Sequence, residues 1–158
     1  MKIGVVSDSH NRVENLKEAL EVLQNRGAEF FLHAGDIGED AARYLLKSGI
    51  PFIGVYGNTD RFFIPDAPIF KEPHYFKIEN RTFKLMHHPY FLTPDTDVVV
   101  YGHLHKFECE KKKSLYLNPG EICAREKPLI ECALLNSETL EVDYLYKKDA
   151  WNIKRVCP

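Results

Sequence analysis

The segment Lys2-Ile3-Gly4-Val5-Val6-Ser7-Asp8-Ser9-His10 sets the reading of the whole chain. Its apolar run is short and β-branched, the pattern of a buried strand, and it ends abruptly in an aspartate and a histidine two positions apart. Val13, Leu16, Leu20 and Leu23 follow at steps of three and four, the stripe of an amphipathic helix. Asn11, with Glu14 three residues on, is expected as its N-cap, and Gly27 as its stop. Glu29–His33 reads as a second strand. Glu39–Lys47 reads as a second helix with Ala42, Leu45 and Leu46 on one side, closed by Ser48-Gly49, and Pro51–Tyr56 as a third strand. Strand, helix, strand, helix, strand within 56 residues implies right-handed βαβ units and a parallel sheet.

Beyond Asp60 the pattern changes. Phe62–Pro73 holds three prolines and is expected to be loop. Strand candidates then dominate: His74–Ile78, Thr82–Met86, Asp97–Tyr101, Ser114–Leu117, Leu129–Leu135 and Leu140–Tyr146. Glu79-Asn80-Arg81 and Asn136-Ser137-Glu138 read as hairpin turns. A βαβ half and a β-rich half in 158 residues leave little room for two domains. We expect a single domain over residues 1–158, an α/β sandwich of two packed sheets with helices outside.

Composition is ordinary for a globular protein, with 44% hydrophobic and 28% charged residues. Its formal charge of −2 gives no electrostatic reason to expect nucleic acid or an anionic membrane as the main partner. A small anionic substrate needs only a local positive site. Ile3–Val6 is too short for the apolar core of a secretory leader, and no apolar stretch approaches the roughly 20 residues of a membrane helix. The four cysteines (Cys109, Cys123, Cys132, Cys157) form no CxxC pair, so free thiols and a cytoplasmic location are expected.

In an open parallel sheet, ligands bind beyond the carboxyl ends of the strands. Asp8 and His10 follow the first apolar run, Asp36 the second, and Asn58, Thr59 and Asp60 the third. His87 and His88 follow Thr82–Met86, and His103 and His105 follow Asp97–Tyr101. Three of these ends pass through a glycine, Gly35, Gly57 or Gly102, which lets the backbone approach a bound group closely. A lone His or a lone Gly-Asp after a strand is most often a turn or cap. Five coincident strand ends are poorly explained by chance. Asp8, His10, Asp36, Asn58, His87, His103 and His105 offer oxygen and imidazole nitrogen but no thiolate. That is too many donors for one tetrahedral ion and suits two divalent ions, with Mn²⁺ leading and Ni²⁺, Fe²⁺, Co²⁺ or Zn²⁺ also fitting. Two such ions can hold a hydroxide and clamp a phosphoryl group.

Asp8-x-His10, Gly35-Asp36, Gly57-Asn58-x-Asp60, a later strand-end His and Gly102-His103-x-His105 together resemble the calcineurin-like metallophosphoesterases. Asn118-Pro119-Gly120 is similar to the compact bacterial and archaeal branch of small phosphodiesterases. The resemblance implies a four-layer α/β/β/α sandwich. It implies one metal on Asp8, His10 and His105, a second on Asn58, His87 and His103, and Asp36 as the bridge. Asp36 and Asn58 would then hold the bridging hydroxide and the phosphoryl oxygens, with Thr59, Asp60 and His88 close to the substrate. The implied activity is hydrolysis of small phosphodiesters in an open cleft. Homo-oligomerisation stays open, and the rival reading is a metal-binding scaffold of the same fold.

Two departures bear on mechanism. The family's third motif usually carries a histidine that protonates the leaving oxygen, whereas this chain has Thr59, which is no general acid near neutral pH. Leaving groups that need little protonation are therefore expected to be favoured. His88 also stands where the family usually has a glycine, narrowing the pocket, and Pro89 removes a usual outer histidine. Elsewhere, His33 is expected to be structural, His74 solvated, Lys111-Lys112-Lys113 an exposed hairpin tip and Trp151 a docking residue. Phe62-Phe63 and Phe91-Leu92 either pack together or line a cleft.

Overall fold

Alternating burial builds the molecule. In β1 (Lys2–Val6), Ile3 and Val5 face one way and Val6 the other, and all three are buried. The strand is therefore covered on both faces, which is why its sequence is continuously apolar. In the computed structural model, which describes residues 1–157, β1 is followed by α1 (Val13–Asn25), β2 (Phe30–His33), α2 (Glu39–Ser48) and β3 (Phe52–Val55). The remaining strands are β4 (Ile69–Phe70), β5 (His74–Ile78), β6 (Arg81–Leu85), β7 (Val98–Val100), β8 (Phe107–Lys111), β9 (Leu115–Pro119), β10 (Ile130–Asn136), β11 (Val142–Lys147) and β12 (Trp151–Cys157).

Two mixed sheets result. One has the order β12-β11-β10-β1-β2-β3-β4, parallel from β1 to β4 and antiparallel from β1 to β12. The other has the order β5-β6-β7-β9-β8, parallel through β6, β7 and β9 with antiparallel edges. Ile3, Val5, Leu32 and Val55 of the first sheet meet Phe83, Leu85, Val98 and Val100 of the second in one apolar cluster. The expected sandwich of two packed mixed sheets is thus present.

The outer layers differ. Leu16, Leu20 and Leu23 of α1 and Ala41, Ala42 and Leu45 of α2 pack on the outside of the seven-stranded sheet with Val6, Phe31 and Phe52. On the five-stranded sheet, the buried Met86, Val99 and Tyr101 form a separate cluster. Chain beyond His88 is tied to this side through Lys84, whose fully buried amine donates to Thr93 Oγ1 at 2.8 Å and pairs with Asp95 at 2.6 Å. One outer layer is helical, and the other carries irregular chain.

Several local expectations change. The N-cap of α1 is Arg12, without a side-chain bond. Asn11 instead serves α2, accepting from Ala41 N at 3.0 Å and donating to Asp40. Its positive φ turns it away from α1. Leu46 is partly exposed rather than on the buried side of α2. The segment expected to be loop contains β4, and β8 and β12 were not anticipated. His74 is half-buried between Phe70 and Phe76 rather than solvated. Lys112 and Lys113 form the exposed β8–β9 tip, and Trp151 packs onto the helical side. The free-thiol expectation fails for Cys109 and Cys157, which form a disulfide between β8 and β12, the edges of the two sheets. Cys123 and Cys132 are free and buried. No helix of the described residues is long and apolar enough to cross a membrane.

Candidate metal centre

The carboxyl ends of β1, β2, β3, β6 and β7 converge, and the fold brings all seven singled-out side chains together there. Asp8 and His10 lie between β1 and α1, Asp36 after β2, and Asn58 after β3. His87 follows β6, and His103 and His105 follow β7. Five of these seven residues, Asp8, His10, Asp36, His103 and His105, adopt positive φ between 43° and 71°. Non-glycine residues rarely do so, and such strain gathers where surrounding structure holds functional groups in place.

Distances set the chemistry. Asp8 Oδ2 accepts from Ser7 Oγ at 2.7 Å and from His103 N at 3.1 Å. Asp8 Oδ1 is buried without a hydrogen-bond partner, 3.4 Å from His105 Nε2 and 3.7 Å from His10 Nε2. Those two nitrogens are 3.3 Å apart. Asp36 lies between the two groups of donors, with Oδ2 3.5 Å from His10 Nε2 and 3.2 Å from His87 Nε2. Its Oδ1 accepts from Thr59 N at 2.9 Å. His87 Nε2 is 3.0 Å from Asn58 Oδ1 and 3.2 Å from His103 Nδ1.

Hydrogen bonds on the far side of two rings fix their tautomers. His87 Nδ1 donates to Ala34 O at 2.8 Å, and His105 Nδ1 donates to Glu121 Oε1 at 2.8 Å. In a neutral ring the remaining Nε2 is then a lone pair, and each faces carboxylate oxygen. Lone pairs opposed at this range call for positive charge between them, a proton or a metal ion. The orphaned Asp8 oxygen makes the same demand, since a buried unpaired carboxylate oxygen is costly. The donor set therefore fits divalent metal, with only oxygen and nitrogen among the seven.

Burial alone would raise the Asp36 carboxyl, but contacts with His87 and Thr59 outweigh it and hold the group well below the usual carboxylate range. Burial opposes protonation of His87, while the carboxylates of Asp36 and Asp8 win and push it up. His103 is pushed down, first by burial and then by His87 and His88. His33, fully buried and bonded to Ser9 Oγ, is lowered by burial to about 3 and stays neutral.

Asp60 faces away from the donors and organises loops, accepting from Gly57 N at 2.8 Å, Gly38 N at 3.0 Å and Ile37 N at 3.1 Å. Thr59 contributes its backbone N–H to Asp36. His88 stands 4.5 Å, ring to ring, from His103. At Gly57 an added Cβ would collide with Asp36, and at Gly102 with Ser7 across the seam between the sheets. Glycine is needed at both because neighbouring chain passes too close for any side chain.

Two carboxylates escaped the reading of the sequence. Glu121, fully buried, orients His105 while also accepting from Cys123 and from the backbone N–H groups of Arg125, Glu126 and Lys127. These bonds outweigh burial and hold it at about 2. Glu72 accepts from His87 N at 3.0 Å, His88 N at 2.7 Å and His88 Nδ1 at 2.7 Å. Glu121 directly follows Asn118-Pro119-Gly120, the one signal that could have found it. Nothing local marks Glu72.

Known proteins share this chain's sequence pattern and fold. The chain is 28% identical to a phosphodiesterase of Methanocaldococcus jannaschii over 163 aligned residues, covering 89% of this chain and 96% of that protein. It is 32% identical over 135 residues to a probable metallophosphoesterase of Methanothermobacter thermautotrophicus, covering 76% of each. Among solved structures, an archaeal phosphodiesterase superposes with a TM-score of 0.79 at 24% identity, covering 99% of this chain and 100% of that one, which shows the shared fold. The model of the calcineurin-like phosphoesterase superfamily domain matches residues 1–140, and the chain belongs to that superfamily.

Proposed function

We propose that the protein is a dinuclear metal-dependent phosphodiesterase acting on small phosphodiesters. In this reading Asp8, His10 and His105 would hold one ion, Asn58, His87 and His103 would hold the other, and Asp36 would serve both. The observation that carries it is the buried, unpartnered Asp8 Oδ1 facing the Nε2 atoms of His10 and His105. The position of Asp36 between His10 and His87 supports a bridge. When bound, paired divalent ions supply a water activated near neutral pH and a positive clamp for phosphoryl oxygens.

The protein's own groups do the rest. Ala34 O and Glu121 keep the ligating lone pairs of His87 and His105 pointed inward. The amide of Asn58 adds a neutral donor where charge grows on the phosphoryl oxygens. Thr59 supplies no acid, so the leaving group departs with little help and the best substrates release stable anions. Manganese, a small phosphate-ester substrate in preference to nucleic acid, and a cytoplasmic setting belong to the same reading. Cys123 and Cys132 are free thiols, whereas the Cys109–Cys157 disulfide favours an oxidising compartment.

The test is hydrolysis of bis-p-nitrophenyl phosphate by metal-stripped protein with Mn²⁺, Ni²⁺, Fe²⁺ or Zn²⁺ restored in turn. Activity should vanish on chelation and return with metal, and Asp36→Ala should abolish it. Turnover indifferent to both would leave a scaffold role as the better description.

A further inference from the structure

Beside the convergent donors the structure carries a second ordered feature, a pile of rings leading outward. His88 is held by Glu72, which takes both its backbone N–H and its Nδ1–H, each at 2.7 Å, and the preceding residue's N–H at 3.0 Å. The ring cannot swing without breaking that grip. A nitrogen of His88 lies within 4.8 Å of nitrogens of both His87 and His103. On its other side Tyr90 folds back, its N–H donating to His88 O at 2.7 Å. The Tyr90 ring lies over His88 at 4.9 Å, tilted by only 15°.

Tyr90 is 72% exposed, so one stacked aromatic ring borders the site with most of its surface in water. Phe91 and Leu104, in the same two strand-end loops, are also exposed and extend an apolar rim.

Resting on the phosphodiesterase reading and deepening it, we propose that His88 and Tyr90 form a subsite for a flat, unsaturated ring carried by the phosphoester, an aryl or nucleobase group. A phosphoryl group held near His87 and His103 would direct one ester substituent along His88 towards Tyr90. There a ring gains edge-on aromatic contact with the His88–Tyr90 pair that a small alkyl group cannot.

Phenylphosphonate and methylphosphonate share the phosphoryl head and differ only in the ring. Their affinities for manganese-loaded protein, by calorimetry and as competitive inhibitors of bis-p-nitrophenyl phosphate hydrolysis, test the subsite. Phenylphosphonate should bind about tenfold more tightly, a typical gain for one aromatic contact. Tyr90→Ala should erase that preference and leave methylphosphonate binding unchanged, and Tyr90→Phe should keep it. Because Tyr90 is exposed, neither change threatens the fold. Equal affinities in the unaltered protein would overturn the proposal. So would a Tyr90→Ala protein that weakens both ligands alike, or one that loses only self-association, which would assign the rim to a second copy of the chain. If the protein hydrolyses the diester yet shows no ring preference, the subsite fails and the enzyme reading survives. If it binds neither phosphonate and hydrolyses nothing, the enzyme reading itself fails.

Discussion

The two sheets contribute unlike halves of the candidate centre. The seven-stranded sheet delivers the oxygen donors Asp8, Asp36 and Asn58 from the ends of β1, β2 and β3, with His10 beside them. The five-stranded sheet delivers imidazoles alone, His87 from β6 and His103 and His105 from β7. Neither sheet assembles the full set. The centre exists only at the seam, so its geometry depends on apolar packing between Ile3, Val5, Leu32 and Val55 on one side and Phe83, Leu85, Val98 and Val100 on the other. Packing and chemistry are coupled here because opposed donors must be held within hydrogen-bond range across that seam.

Substitutions can break this division of labour in graded ways. Asp36→Asn, at the residue touching imidazoles from both sheets, should cost more than the roughly 10²–10³-fold that loss of one oxyanion donor costs. Metal stoichiometry should fall with activity, as counted by calorimetry. Phe83→Ala, remote from the donors but filling the inter-sheet core, should destabilise the fold by about 3–5 kcal/mol in urea unfolding. Metal affinity should weaken with it, because the sheets no longer hold a fixed spacing. Glu121→Gln leaves all seven donors in place and weakens the bond that orients His105, together with those holding the Arg125–Lys127 backbone. Metal affinity should drop about 10–100-fold, with a changed Co²⁺ absorption spectrum. Unaltered affinity would show that the five-stranded half needs no outer support.

The last test concerns His33, a buried imidazole outside the donor set. His33, held at about 3 in the folded state, is neutral there and charged when unfolded below pH ~6.5. The unfolded chain then binds the extra proton, so stability is complete above that pH and falls as pH drops towards 3. The slope is about 1.4 kcal/mol per pH unit once the unfolded ring is fully charged. His33→Gln should remove that component from a urea titration between pH 4 and 7.

The seven donor candidates were legible because each sits at a strand end in a short, strongly patterned block, and strand polarity puts those ends on one side. The edges were not. β8 and β12 read as polar, alternating sequence, since an edge strand faces solvent and needs no apolar run. β4 is two residues long, too short for any period. Asn11 has the residue type of a helix cap, and only the approach of α2 decides which helix it serves. Glu72, 15 residues before His87, and the Cys109–Cys157 pair, 48 residues apart, are joined by the fold and by no local pattern.

By itself the sequence determined which side chains are candidate donors and that they lie at strand ends, because period and residue chemistry are local properties. The tertiary structure decided everything that depends on two elements meeting. It opposed carboxylate to imidazole across the seam, turned His87 and His105 by partners outside the donor set, and left the Tyr90 ring open to solvent. Such contacts come from how two sheets pack, and chain distance carries no record of that.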